Sequence, residues 1–358
     1  MEELSVGGTI EGWEQLMIGE ACVRAASMLE ARSITEPRNN AELLLLHVLG
    51  LDRAALLRDW RDPFPQRHAK QWEALLARKA AGEPVQYLIG EQWFYGLPYK
   101  VTPAVLIPRP ETELLVEAVL EAADRLWPGA AGESGADDGA GSDAVQAGAE
   151  AGGAREGETS GSDVVQAGGE AGGVPTVVDV GTGSGAIGVT LAALRPRWRV
   201  CASDLSPDAL AVARTNAEHH GAAARMTFVQ GDLLGPFAQP RPGAHVDAAA
   251  ENVAGLRIDV LVSNPPYIPA GDIAGLQTEV RDHEPRLALD GGEDGLTPYR
   301  RMAEQLALLS ALPRIVGFEL GMGQAEAVAD LLRGIGAWRE VRIIDDYAGI
   351  GRHVLAVE

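Results

Sequence analysis

An α/β fold is predicted for this chain: a seven-stranded, mostly parallel sheet covered on both faces, preceded by a small helical domain. Three observations predict it. From Thr176 onward, short β-branched runs alternate with amphipathic stretches, the pattern of repeated strand–helix units. Ahead of them, roughly the first eighty residues carry apolar side chains at three- and four-residue spacing instead. The last two apolar runs are separated only by Asp346 to Gly351, too short for a right-handed crossover, so those two strands should pair antiparallel.

The helical domain is placed at 1–83. Ile18 to Leu29, Asn39 to Leu49 and Gln66 to Ala80 read as its helices. Glu36-Pro37-Arg38-Asn39 and Asp62-Pro63-Phe64-Pro65 separate them. Residues 84–128 follow as a connector into the sheet domain. Its aromatics Trp93, Phe94, Tyr95 and Tyr99 suggest a short hairpin, and a helix is expected to start near Glu111. Aromatics that simply fill core account equally well for that stretch.

Residues 129–173 are low in complexity, rich in Gly, Ala and acid. Ser142-Asp143-Ala144-Val145-Gln146-Ala147-Gly148 recurs as Ser162-Asp163-Val164-Val165-Gln166-Ala167-Gly168. Two copies with so few large apolar residues cannot bury a core, so a disordered, duplicated insertion is expected. A second, smaller insertion is expected at Pro240 to Gly255.

The formal net charge is −21, of which the nine acids and single Arg155 of residues 129–173 supply −8 and leave −13 on the rest. An acidic body opposes the phosphate-neutralising surface that duplex binding requires. No stretch approaches the roughly 20 unbroken apolar residues of a membrane helix. Met1-Glu2-Glu3-Leu4 lacks the basic and apolar regions of a secretory signal. Cys22 and Cys201 form neither a disulfide framework nor a metal motif. A cytoplasmic enzyme with reduced thiols and no metal is the expectation.

The sheet domain is placed at 174–358, with strands at 176–180, 199–203, 226–230, 258–263, 314–320, 340–345 and 352–357. Ser206-Pro207-Asp208 starts a helix, with Ser as N-cap and Pro at the first position. Six parallel strands with one antiparallel strand near the edge is the sheet of the Rossmann-like class I methyltransferases. Val177 to Val180 run straight into Gly181-Thr182-Gly183-Ser184-Gly185. Such glycines let the backbone approach a ligand closely, and the following helix N-terminus favours a carboxylate. The spacing is G-x-G-x-G rather than the G-x-G-x-x-G of dinucleotide binders. Asp204 ends the second strand, where a carboxylate can accept both ribose hydroxyls. Asp232 ends the third, in reach of an adenine amino group, with Leu233 against the ring. Taken singly, either acid could be a helix cap. Together with the glycine loop they point to S-adenosylmethionine.

Asn264-Pro265-Pro266-Tyr267 follows the apolar run Ile258 to Ser263. Two prolines stop the strand ladder, so Asn264 is presented at a strand's carboxyl end, where open α/β sheets bind ligands. Asn264 Oδ1 and the Pro265 carbonyl can grip the two hydrogens of a planar –NH2 group while Tyr267 lies flat against it. This is an acceptor site for a non-basic nitrogen. A strand-ending turn with an ordinary Asn cap is the plainer reading. His283 could be proposed as a base, but a solvated loop histidine is the better account.

These segments resemble the HemK/PrmC family, the peptide chain release factor glutamine N5-methyltransferases. The resemblance is carried by Phe94 to Leu97, Leu106-Ile107-Pro108-Arg109-Pro110-Glu111-Thr112-Glu113, Asp179 to Gly185, Asn264 to Tyr267, Glu284-Pro285 through Leu289, Gly291-Gly292 and Asp294-Gly295-Leu296. It covers nearly the whole chain outside 129–173 and roughly 240–255. The Asn-Pro-Pro-Tyr element is shared with adenine-N6 and other amino-methyltransferases; the Ile-Pro-Arg-Pro-Glu-Thr-Glu segment behind a helical domain is more selective. The resemblance implies that Gly181 to Gly185, Asp204, Leu233 and Asn264 contact the cofactor and that Asn264 to Tyr267 hold a substrate glutamine. Leu233 departs from the aromatic that some members carry there. The implied partner is a class I release factor, methylated on the glutamine of its Gly-Gly-Gln loop. A nucleic-acid amino-methyltransferase and a non-catalytic cofactor-binding partner of translation are the competing readings.

Overall fold

Local signals start most of the helices in the computed structural model, which describes residues 12–130, 173–239 and 252–358. The N-terminal tetrapeptide, nearly all of the acidic duplicated insertion and most of the second insertion lie outside the described residues. Pro37 occupies the first turn of α2 (Pro37–Leu49), and Gly50 closes that helix in the left-handed region. With α1 (Ile18–Glu30) and α4 (Ala69–Ala80), α2 encloses an apolar centre of Leu44, Leu45, Leu29 and Trp72. Trp13 meets the Trp72 ring edge-on at 5.9 Å. Two short helices escaped the periodicity analysis. α3 (Arg53–Arg58) is started by Asp52, whose carboxylate accepts from Ala55 N, and six residues are too few to show a helical period. α5 (Val85–Ile89) is barely more than one turn, started after Pro84 and ended by Gly90.

The hairpin of β1 (Glu91–Phe94) and β2 (Leu97–Lys100) turns on Tyr95 and Gly96, both at positive φ, the geometry that matches strand twist in a two-residue loop. It is pinned to the sheet domain. Asn216 accepts from Lys100 N and donates to both Lys100 O and Ser184 O. The aromatics divide: Phe94 and Tyr99 are buried, while Trp93 is exposed. Helix α6 (Glu111–Leu126) then packs on the sheet through Leu115, Val116 and Val119.

The sheet is built from β3 (Thr176–Val180), β4 (Arg199–Asp204), β5 (Met226–Gln230), β6 (Val260–Ser263), β7 (Ile315–Glu319), β8 (Glu340–Asp345) and β9 (Gly351–Val357), interleaved with α7 (Ala186–Leu194), α8 (Pro207–His219), α9 (Thr278–His283), α10 (Thr297–Leu306) and α11 (Ala325–Ile335). Its order is β5-β4-β3-β6-β7-β9-β8. β9 runs antiparallel to both β7 and β8, and the other sheet pairs are parallel. The short β8–β9 connection forces that reversal, as its length predicts. β3 and β6 are neighbours, with Val180 opposite Ser263. The chain leaves β3 toward one side and β6 toward the other, so their carboxyl ends open a crevice at the topological switch point.

The helical segment contacts the sheet domain through Lys79. Lys79, fully buried, donates to Glu279 Oε1 at 2.7 Å and to Glu83 O at 3.0 Å. Burial lowers the Lys79 pKa, and its acidic partners oppose that shift. A buried ammonium is tolerated only with such partners.

Candidate active site

Asp179, the buried acid near the end of β3, organises the glycine loop. Its Oδ2 accepts from Thr182 Oγ1 at 2.6 Å and from Gly188 N at 2.9 Å. Burial pushes this carboxyl up to about 6. Gly181 and Gly183 both adopt positive φ, and a Cβ at either would project into open space. Their backbone therefore borders a cavity that a ligand can approach closely. Gly185 is small for a different reason: a Cβ there would meet Val189 at 2.9 Å.

Asp204 faces the loop from the end of β4. Its Oδ2 accepts from Gly183 N and its Oδ1 from Ser206 N, each at 2.9 Å. Burial raises its pKa, while these backbone donors oppose the rise. Each carboxylate oxygen retains acceptor capacity for a further donor. Asp232 is different: it is exposed and ion-paired with Arg301 at 2.6 Å. Leu233 holds a left-handed backbone at φ 52 and packs on the apolar cluster beneath the sheet.

One cavity of about 610 Å³ takes in Gly181 to Ser184, Asp204, Asp232, Leu233, Asn264 and Pro266. That volume is in the range of small-molecule sites. Gly185, Pro265 and Tyr267 do not contribute to its wall. Pro265 is buried. The Tyr267 hydroxyl accepts from Arg352 at 3.2 Å, and the guanidinium carbon lies 5.4 Å from the ring centre. Tyr267 O accepts from Gln324 Nε2 at 2.9 Å. His283 sits at the end of α9 and does not line the cavity.

Asn264 is steered from behind. Ser263 Oγ donates to Val180 O at 2.6 Å, locking the β6 end to the β3 end. Asn264 Nδ2 points to Thr112 Oγ1 at 3.4 Å, and Thr112 Oγ1 donates to Glu319 Oε2 at 2.6 Å. Arg109, on the cavity wall, and Glu284, behind it, pair at 2.5 Å; neither was expected as a site residue. In the sequence Arg109, Thr112 and Glu284 stand out only as members of the Ile-Pro-Arg-Pro-Glu-Thr-Glu and Glu-Pro segments. Glu319 carried a weaker signal, an acid closing the strand Ile315 to Glu319. Nothing in one-dimensional spacing joins it to Thr112.

Comparison with known proteins now bears on this geometry. Residues 20–90 match the family described as PrmC N-terminal domain, and residues 177–258 match Methyltransferase domain. The release factor glutamine methyltransferase of Moorella thermoacetica is 39% identical over 342 residues, covering 95% of this chain and 98% of that protein. Its namesake in Bacillus subtilis is 36% identical, covering 95% and 97%. That of Chlorobaculum tepidum is 37% identical, covering 90% of each. The chain belongs to the release factor glutamine methyltransferase family. It is an S-adenosylmethionine-dependent methyltransferase with a Rossmann-like class I sheet, as the strand pattern and glycine loop predict. The cavity suits that cofactor: bare glycine backbone in the left-handed region lies beside a carboxylate with spare acceptor capacity and an apolar wall including Ile187 and Leu205. Among the described residues, no helix is long and apolar enough to cross a membrane.

Proposed function

We propose that this chain methylates the side-chain amide nitrogen of the glutamine in the Gly-Gly-Gln loop of a class I release factor, and that it acts in the cytoplasm beside the translation apparatus. The carrying observation is that Asn264, at the end of β6, lines the same cavity as the glycine loop and Asp204. When bound, S-adenosylmethionine supplies an electrophilic methyl carbon on a sulfonium. Gly181 to Ser184, Asp204 and Leu233 would hold it, with Asp204 offering acceptors to the ribose hydroxyls; Gly185, off the cavity wall, would serve the turn of the loop. Asp232, paired with Arg301 at 2.6 Å, would have to share its carboxylate to meet the adenine amino group.

An amide nitrogen is a poor nucleophile because resonance draws its lone pair into the carbonyl. This chain's residues therefore have to orient it. Asn264 Oδ1, on the cavity wall, accepts one of its hydrogens, and the Pro265 carbonyl takes the other once the substrate loop opens access to this buried residue; together they hold the nitrogen in place and stabilise the positive charge that develops there. Tyr267 offers a ring face to the amide plane, steadied by Arg352 and by the Gln324 contact to its carbonyl. Once methylated, the nitrogen is strongly acidic, so its proton passes to water without a dedicated base. The pairing of Arg109 with Glu284 keeps the Ile-Pro-Arg-Pro segment and the Glu284-Pro285 segment together at the rim where a protein loop enters.

The test is incubation with S-adenosylmethionine and a purified release factor carrying either Gln or Ala in its Gly-Gly-Gln loop, read by mass spectrometry. One methyl group on the Gln protein alone is expected. Asn264→Ala should abolish transfer while cofactor binding falls much less. Methylation of nucleic acid in place of the release factor, or tight cofactor binding with no transfer to any substrate, would overturn the reading.

A further inference from the structure

The orientation of the Asn264 side chain is the least obvious requirement of the proposed chemistry. An amide has one acceptor end and one donor end, and only the acceptor end can grip a substrate amide hydrogen. In the structure Nδ2 faces Thr112 Oγ1, which leaves Oδ1 for the cavity. The hydroxyl of Thr112 has a single proton, committed to Glu319 Oε2 at 2.6 Å. It can then only accept from Asn264, never donate to it. Thr112 and Glu319 are both buried, and Tyr299 Oη holds the backbone of Glu319 from below at 2.7 Å.

We infer that Thr112 and Glu319 are positioning residues for the methyl transfer: a carboxylate takes the threonine proton, and the threonine oxygen in turn dictates which end of Asn264 meets the substrate amide. This inference rests on the substrate-amide reading above. Glu319 lies off the cavity wall and Thr112 borders it beside Asn264; the effect assigned to both is exerted through Asn264. The direction of donation depends on the charge of Glu319. Burial pushes its pKa up to about 7, and the hydroxyl of Thr112, Arg352 and the side-chain amide of Asn264, which also bonds this carboxylate, oppose the rise. The other charged or titratable groups facing it are Glu111 on α6, Tyr267 after β6, Tyr299 on α10, and His353 on β9, whose Nε2 lies 3.9 Å from Oε2. Burial lowers His353 to about 4, so at neutral pH it is an uncharged neighbour and supplies no counter-ion. Protonated on Oε2, Glu319 donates to Thr112 Oγ1 instead of accepting from it, and keeps only Oε1 as a free acceptor. That frees the Thr112 proton to bond Oδ1 and turn the amide the wrong way.

Full-length wild type, Thr112→Val, Thr112→Ser and Glu319→Gln should be compared on a release factor substrate, with cofactor affinity and melting temperature measured alongside. Thr112→Val keeps the shape and loses the oxygen; its kcat is expected to fall about tenfold or more with little change in cofactor Kd, in line with the loss of one preorganised polar contact. Thr112→Ser, which keeps the hydroxyl, is expected to stay near wild type. Wild-type kcat should rise with pH through the ionisation of Glu319, and Glu319→Gln should lose that limb. Unchanged kcat in Thr112→Val overturns the inference, as does a Thr112→Ser variant as impaired as Thr112→Val. Should Glu319→Gln fail to fold, the threonine pair still decides. Failure of wild type to methylate the release factor at all sinks the substrate reading instead, so the two failures are distinguishable.

Discussion

Replacing Asp204 with Ala tests the cofactor half of the site in a way the structure makes quantitative. The Asp204 carboxylate accepts from Gly183 N and Ser206 N at 2.9 Å each, so it both shapes the glycine loop and leaves acceptor capacity facing the cavity. Hydrogen bonds to a charged group are worth about 1.5–3 kcal/mol each. On the proposed reading two bonds to ribose hydroxyls would be lost in the variant, and water entering the vacated space would restore part of the difference. A net loss near 3 kcal/mol corresponds to roughly a hundredfold weaker binding. Asp204→Asn should be intermediate, since one backbone N–H would then confront an –NH2. The assay is calorimetric titration with S-adenosylmethionine or its demethylated product, with thermal unfolding measured on the same samples. Because the hydroxyls favour the ionised carboxylate and burial raises its pKa, affinity should decline on acidification earlier than an ordinary aspartate would dictate. An affinity within about threefold of wild type, at unchanged melting temperature, would refute the assignment.

Three further outcomes follow from the same coordinates. Gly295 adopts φ +76, and a Cβ there would lie 2.2 Å from Tyr267 O; Gly295→Ala should displace the Asn-Pro-Pro-Tyr loop, destabilise the fold by about 1–3 kcal/mol and reduce methyl transfer more than cofactor binding, checked by chemical denaturation and steady-state kinetics. Lys79→Met removes the buried cation but leaves Glu279 partly solvated, so a loss of about 1–2 kcal/mol is expected rather than the full penalty of an orphaned buried charge, measured by urea titration. Glu319 has a folded pKa raised from 4.5 to about 7. The native state therefore binds more protons than the unfolded chain across that window, and the group's contribution to stability falls as pH rises through it. Melting curves should show Glu319→Gln gaining on wild type between those pH values; a constant difference would contradict the raised pKa.

How much of this was legible beforehand differs from element to element. The strands were readable because a buried parallel strand is rich in β-branched and other apolar residues, as in Val177-Val178-Asp179-Val180 and Val260-Leu261-Val262. Their placement agrees with the structure to within two residues at each end. Helices α3 and α5 were not readable, being shorter than the period that would reveal them. In the site, residues borne on the glycine loop and at strand ends were visible from local spacing. The polar partners behind them were not.

What the sequence determined by itself was whatever depends on neighbours along the chain: the alternation that builds the sheet, the turn that reverses the last strand, the glycines after β3 and the prolines that expose Asn264. What only the tertiary structure decided were pairings between distant segments. Thr112 meets Glu319 across 207 residues, Arg109 meets Glu284 across 175, and Lys79 meets Glu279 across 200. Backbone preference acts over a few residues and leaves its mark in every local window. A side-chain hydrogen bond needs only two atoms within about 3 Å, and which atoms those are is settled by how the layers stack.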